Sequence, residues 1–398
     1  MTHHYITFAN SPSDWSLVNS LYSEAAGCRI TLQSIKRATH QHRPSCKLWV
    51  DLGVDGLDST QISDPSDRTN APYKEYMRQF PNHSLIADRG FQRKPDRDRI
   101  AVFVNAILDE ALRAVPNASW LSVPQLPYAS GSEKNKINKS MAEVTRQWKS
   151  TSSYRGKLIL PIIFSKQGQT DLKTIRNPKV DLAAACFAAS GAEGVWVVDS
   201  KLNDQDGVGN YEDVRFPGLI KFHEELNSRL PGETVTVAGP YWGLNIVLWA
   251  RGLVKLPAIG LGKSFQFHVA GGRQIKPLVK LALPPLKRLV LWSPALKKWM
   301  EEAVRGLPRG DSAYSQFTGI LRQIDLLQQE DVARRQVARF YKEWIDRLES
   351  VPPTSRALAL YQELSAAYVL GTGLRPLPAP EKVKDPARIA KQFMVNCL

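Results

Sequence analysis

Short apolar, β-branched runs recur along this chain and alternate with amphipathic segments. The pattern is densest between Gly194 and Lys263, which reads GVWVVDS, a helical segment, TVTVAGPYWG, a shorter helix and LPAIGLGK. Each run closes in a polar or glycine-rich turn, at Asp199-Ser200, Gly239-Pro240 and Gly262-Lys263. Strands of this kind, spaced by helices, predict βαβ units and a parallel sheet buried on both faces. In such sheets the chemistry sits just past the carboxyl ends of the strands.

Extended in both directions, the pattern gives eight strands, over 47–51, 85–88, 120–123, 158–164, 194–198, 234–238, 258–261 and 288–292. Eight βα repeats in about 250 residues is the size of a TIM barrel. An open doubly wound sheet is the main rival. No GxGxxG opens a helix after the first strand, which weakens its dinucleotide-binding version. The expected fold is therefore α/β, a TIM-like (β/α)8 barrel over 47–293 with a C-terminal helical appendage. An N-terminal extension, 1–46, carries a strand at Tyr5–Phe8, a helical segment around Trp15–Ala26 and a second strand at Arg29–Leu32. From Pro294 the apolar spacing becomes helical, with segments at Ala295–Val304, Ser312–Gln328, Asp331–Glu349 and Ser355–Leu370. These make a basic helical appendage over 294–370, and 371–398 reads as a loosely packed Pro- and Lys-rich tail.

Composition narrows the class. At 398 residues and 43% hydrophobic the chain can fill a large core. Its formal net charge of +15 favours a polyanionic partner, nucleic acid first. A protein partner or a homo-oligomer is compatible with the same surface. The four cysteines, Cys28, Cys46, Cys186 and Cys397, are dispersed and contain no CxxC pair, so neither a zinc knuckle nor a disulfide framework is expected. His40, His42 and Cys46 lie close together, but no partner cluster is near, and a polar surface loop is the simpler assignment. The N-terminus shows no signal peptide, and no apolar run reaches membrane-spanning length, so a cytoplasmic protein with no membrane contact is expected.

In a barrel, the last residue of each strand would point to one mouth. That mouth would gather Asp51, Asp88 and Asp199, which could divide general-acid and general-base or nucleophilic work. They could equally coordinate Mg²⁺ through oxygen; no other cofactor and no dedicated metal site is evident. Aspartate is also a common strand-end and capping residue, so each alone has a structural explanation. Tyr241 and Trp242, in a glycine-rich turn, could stack on a base or plug the barrel rim. Lys263 and Arg273 stand in glycine-rich turns suited to a phosphate cradle. The sequence GLGKS is not a Walker loop, because Pro257 occupies the position of its first glycine. Arg334, Arg335 and Arg339 line the polar face of one C-terminal helix. That face is either solvated or a nucleic-acid contact.

At these residues the chain resembles the tRNA-guanine transglycosylases, barrel enzymes that exchange a base at a ribosyl carbon. Their DSGGFQ signature is echoed by Asp88-Arg89-Gly90-Phe91-Gln92, their QG element by Gln167-Gly168, and their glycine-rich turn by Ala238-Gly239-Pro240. The resemblance covers about 85–265. It implies that Asp88 is the signature aspartate and that Gln92, Gln167 and Gly168 line a substrate pocket. Two departures matter. The family's zinc-binding cysteine cluster has no counterpart, and no aspartate falls near Ile259–Gly262, where its nucleophile belongs. The expected function is an enzyme acting on nucleic acid or a nucleotide-like substrate, through base exchange, glycosidic or phosphoester chemistry. The alternative is an inactive barrel that binds nucleic acid or protein within a larger assembly.

Overall fold

The computed structural model describes residues 5–9, 11–37, 43–58, 95–128, 133–164, 177–199, 202, 211–241, 243–261 and 279–398. Its centre is a closed barrel of eight parallel strands. In chain order these are β1 (Ile6–Phe8), β2 (Gly27–Thr31), β3 (Leu48–Asp51), β4 (Trp120–Ser122), β5 (Lys157–Phe164), β6 (Gly194–Asp199), β7 (Val235–Ala238) and β8 (Leu256–Gly260). Each strand pairs with the next, and β8 pairs back onto β1 with Ile6 beside Ala258 and Phe8 beside Gly260. The fold is the expected TIM-like barrel.

Three strands differ from the sequence expectation. The segment 1–46, expected as an extension, supplies β1 and β2. The run 288–292 lies outside the barrel, where β9 (Lys280–Leu283) and β10 (Arg288–Leu291) form an antiparallel hairpin. The reason is physical: a short apolar run marks a strand but carries no information about which neighbour it pairs with. The expected strand at 85–88 lies outside the described residues.

Helices separate most strands: α1 (Pro12–Leu21), α2 (Leu32–Arg37), α3 (Arg97–Ala114), α4 (Glu133–Thr151), α5 (Asn177–Ser190), α6 (Tyr211–Asn227) and α7 (Leu244–Ala250). Local chemistry sets where they begin. Ser11 caps α1 by accepting from the Asp14 N–H, with Pro12 at the first helical position. Asp96 caps α3 through the Arg99 N–H at 2.8 Å. Gly194 marks where β6 and β7 close together, because a Cβ there would sit 2.9 Å from the Val235 carbonyl oxygen.

After the hairpin come α8 (Pro294–Gly306), α9 (Ser312–Leu321), α10 (Glu330–Glu349), α11 (Arg356–Thr372) and α12 (Arg388–Met394). α10 belongs to the barrel as much as to the appendage. Its Val337, Phe340, Trp344, Ile345 and Leu348 join the barrel's hydrophobic cluster, and it packs against α1. The hairpin, α8 and α9 form a second core around Leu281, Leu286, Trp299, Met300 and Phe317. The last segment is docked, not loose. Arg288 reaches the carbonyls of Asp385 (2.9 Å) and Val383 (3.2 Å), and Phe393 of α12 is buried in the barrel cluster.

Candidate functional site at the barrel mouth

Strand register decides which side chains enter the lumen. Side chains alternate along a strand and stay in step between paired parallel strands. Phe8 of β1, Trp49 of β3 and Trp196 of β6 meet edge to face at centroid distances of 5.2 to 5.5 Å, so all three fill the lumen. From these anchors the register places Arg29 and Thr31 of β2, Asp51 of β3, and Ser122 of β4 inside as well. Across the lumen, the inward positions on β5 to β8 include Pro161, Ile163, Val198, Val237 and Ala258. The mouth half of the lumen is therefore divided. One wall, β2 to β4, is polar and charged; the opposite wall is apolar.

The polar wall is built around a buried ion pair between the Arg29 guanidinium and the Asp51 carboxylate, each side chain 4% exposed. The same guanidinium lies over the rings of Phe8 (5.0 Å) and Trp196 (5.2 Å), where the π faces favour a cation. Asp51 also accepts from the Gly53 N–H at 3.3 Å. Trp49 donates its indole N–H to Ser122 Oγ at 2.9 Å, and Trp196 donates to the Gly239 carbonyl at 2.7 Å. Thr31 Oγ1 shares a hydrogen bond with Ser34 Oγ at 2.7 Å and accepts from the Ser34 N–H. The loop after β4 is clamped from α4. Asn138 accepts from the Leu126 N–H at 2.8 Å and donates to the Leu126 carbonyl at 2.9 Å.

The expected site residues fall differently from one another. Asp51 faces the lumen. Asp199 does not: it pairs in register with Phe164, whose ring packs outward on Phe222 of α6 at 5.2 Å. The last lumen-facing residue of β6 is Val198, so one step along the strand carries Asp199 to the helix side of the wall. Asp51 and Asp199 therefore cannot share acid and base roles in one mouth. Tyr241 is fully buried. Its hydroxyl accepts from the Asp199 N–H at 2.9 Å and donates to the Val197 carbonyl at 3.1 Å, so it ties the rim together and offers no stacking face. Arg334 is buried against Asp14 and donates to the Leu261 carbonyl at 2.9 Å; it is not part of an exposed basic face. Arg335 and Arg339 are exposed on α10. Asp88, Gln92, Gln167, Gly168, Trp242, Lys263 and Arg273 lie outside the described residues. So do most of the motifs that carry the transglycosylase resemblance; Gly239 is described, with a φ of 89°.

Arg29, Thr31 and Ser122 were not singled out from the sequence. The available signal was the alternation in GCRIT, where an arginine stands between two apolar residues on a strand-like run. Among the described residues, no group of three or more His, Cys, Asp or Glu side chains is placed to hold a metal ion. No helix of the described residues is long and apolar enough to cross a membrane.

No family model matches the sequence. No curated protein matches it either. Among solved structures the chain is similar to the carboxyl transferase domain of Rhizobium etli pyruvate carboxylase with pyruvate. The two share 10% identity at a TM-score of 0.38, over 98% of this chain and 61% of that one. The same domain with 3-bromopyruvate aligns at 10% identity and a TM-score of 0.37, over 100% and 62%. The chain thus spans less than two thirds of the length of these structures. At such values no activity transfers from them to this chain.

Proposed function

We propose that the barrel is an enzyme acting on a nucleotide-like substrate held at the carboxyl-end mouth. The observation that carries this reading is the division of the lumen into a polar wall on β2 to β4 and an apolar wall opposite. A flat heterocycle has the same division, an apolar face and a polar edge. The Arg29–Asp51 pair supports it further. A buried ion pair is weak evidence for stability, since well-packed apolar residues often serve as well or better. Its retention at the end of the barrel where chemistry is found in this fold favours a functional role. In this reading Asp51 is the acid–base or nucleophilic carboxylate and Arg29 orients it. The excess of positive charge would draw an anionic substrate to the protein.

Calorimetric titration tests this, using a nucleoside monophosphate, the free base and inorganic phosphate as separate probes. Saturable binding of the nucleotide, lost in Asp51→Asn while the far-UV circular dichroism of the folded protein is kept at the assay temperature, is the expected result; the variant melts lower, because the buried Arg29 loses its counterion. Binding of phosphate alone would shift the reading to small phosphorylated metabolites. No heat with any of the three would remove it.

A second reading has its own observation, the exposed Arg335 and Arg339 one turn apart on α10. There the barrel is a scaffold that binds nucleic acid through phosphate contacts. Salt-sensitive binding of RNA or DNA that survives Asp51→Asn but not Arg335→Glu with Arg339→Glu would favour it over the catalytic reading.

A further inference from the structure

Cys28 and Cys46 are far apart by sequence pattern, yet the barrel brings them together. Cys28 stands opposite Leu48 in the β2–β3 register, and its N–H donates to the Lys47 carbonyl at 2.8 Å. Cys46 lies two positions ahead of Leu48, on the same face of the strand pair as Cys28, and the Cys28 thiol hydrogen-bonds to Cys46. Both lie near the amino-terminal ends of the strands, away from the polar mouth. The segment that delivers Cys46 is anchored. Asn19 of α1 donates to the Arg43 carbonyl at 3.3 Å and accepts from the Ser45 N–H at 3.0 Å.

The pair is asymmetric in the way a peroxide-reactive thiol and its resolving partner are. Cys46 is partly exposed and Cys28 is fully buried. The hydrogen bond from Cys28 holds the Cys46 thiol below its ordinary range, whereas burial pushes the Cys28 thiol well above it. A thiolate that is accessible and stands beside a second cysteine is the arrangement of redox-sensitive sites. The other two cysteines lack it. Both are buried, and burial raises Cys186 to about 11 and Cys397 to about 12.

We propose that Cys46 and Cys28 form an oxidation site, in which hydrogen peroxide converts the thiol pair to a disulfide joining β2 to the segment ahead of β3. In the first step the Cys46 thiolate attacks one peroxide oxygen. The S–O bond forms, the O–O bond breaks, and the departing hydroxide takes a proton to become water. Cys46 is then a sulfenic acid. In the second step the Cys28 sulfur, losing its proton to solvent, attacks the Cys46 sulfur. The S–S bond forms, the S–O bond breaks, and the hydroxyl leaves as a second water. Two thiols are oxidised and one peroxide is reduced to two waters. The closed loop encloses α2 and ties two adjacent strands, so the disulfide stiffens this end of the barrel.

The test uses the full-length wild-type protein treated with a small molar excess of hydrogen peroxide. Intact mass and a non-reducing peptide map are then recorded over time. The expected result is a loss of 2 Da with one cross-linked peptide containing Cys28 and Cys46, reversed by dithiothreitol, before Cys186 or Cys397 reacts. In Cys28→Ser the resolving thiol is gone, and Cys46 should accumulate a sulfenic acid trapped by dimedone. Two outcomes overturn the proposal: Cys46 advancing to sulfinic acid in the wild type with no cross-link, or all four cysteines reacting at one rate. The wild-type map decides the question even if Cys28→Ser fails to fold.

Discussion

Arg334 on α10 and Asp14 on α1 are 320 residues apart in the chain and share a buried ion pair, at 4% and 3% exposure. The guanidinium also holds the carbonyl of Leu261, just past the end of β8. One side chain thus fixes the helix that closes the barrel against both the first helix and the last strand. Removing one partner takes the buried counterion from the other, which costs about 3–5 kcal/mol; Asp331, 3.5 Å from Arg334 but 88% exposed, is a poor substitute for Asp14. Arg334→Met and Asp14→Leu should each lower the unfolding free energy by that order. The double variant should recover much of the loss, because two apolar residues leave no orphan charge. Urea denaturation of the three variants checks this; additive losses in the double variant would rule out the coupling.

The same pair shows what the sequence could and could not convey. Arg334 belongs to a helix whose apolar face was legible from its spacing, and its arginines read as a single polar face. Arg334 falls on the buried stripe with Ala338, Tyr341 and Ile345, and the contact with Asp14 is what lets an arginine stand there, whereas Arg335 and Arg339 face outward. Strand existence was legible wherever the run was long and apolar, as in LILPIIF or GVWVVD. It held for the three-residue β1 and for β2 as well, expected at Tyr5–Phe8 and Arg29–Leu32; what failed was their place, because a local apolar run does not say that these strands close the barrel against β8 and β3. Asp199 failed for a different reason. Side chains alternate with period two, so an error of one residue in a strand end moves a carboxylate from the mouth to the helix side. Sequence reading locates strand ends more coarsely than that.

His223 gives the fold a pH dependence. It lies on α6, 1% exposed, and burial pushes its imidazole down to about 3. The native state keeps it neutral, while the unfolded chain takes up a proton near the ordinary value of about 6.5. Between those values the unfolded state binds more protons, so stability is lost as pH falls from about 6.5 toward 3, by at most about 1.4 kcal/mol per pH unit from this group. Urea midpoints at pH 7, 6, 5 and 4 should fall more steeply for the wild type than for His223→Leu. Parallel curves would show that the imidazole does not contribute.

Gly371 sits near the end of α11, where a Cβ would lie 2.7 Å from Ala387 Cα and 2.8 Å from its nitrogen. The atoms in the way are backbone, which cannot swing aside. Alanine gains at most about 1 kcal/mol in helix propensity over glycine. Forcing the two segments apart costs about 1–3 kcal/mol. The strain wins, so Gly371→Ala should lower the melting temperature, and a rise would mean that α11 and Ala387 are not in contact.

Asn138 links α4 to the mouth. Its amide both accepts from and donates to the backbone of Leu126, and its carbonyl accepts from Gln125 Nε2 at 3.0 Å. Leu126 lies in the loop that follows Ser122, so this clamp holds the rim next to the polar wall. Asn138→Leu removes both side-chain bonds and leaves two buried backbone groups unpaired, at about 1–3 kcal/mol each. Asn138→Asp keeps the acceptor and loses the donor, placing a carboxylate against the Leu126 carbonyl. Hydrogen exchange at the Leu126 amide should speed up by at least about tenfold in Asn138→Leu, since each 1.4 kcal/mol of local stability is a factor of ten. In Asn138→Asp the amide keeps its acceptor, so its exchange should rise less even where global stability falls as far. Equal rates in both variants would mean that the loop is held by its apolar contacts and not by the amide.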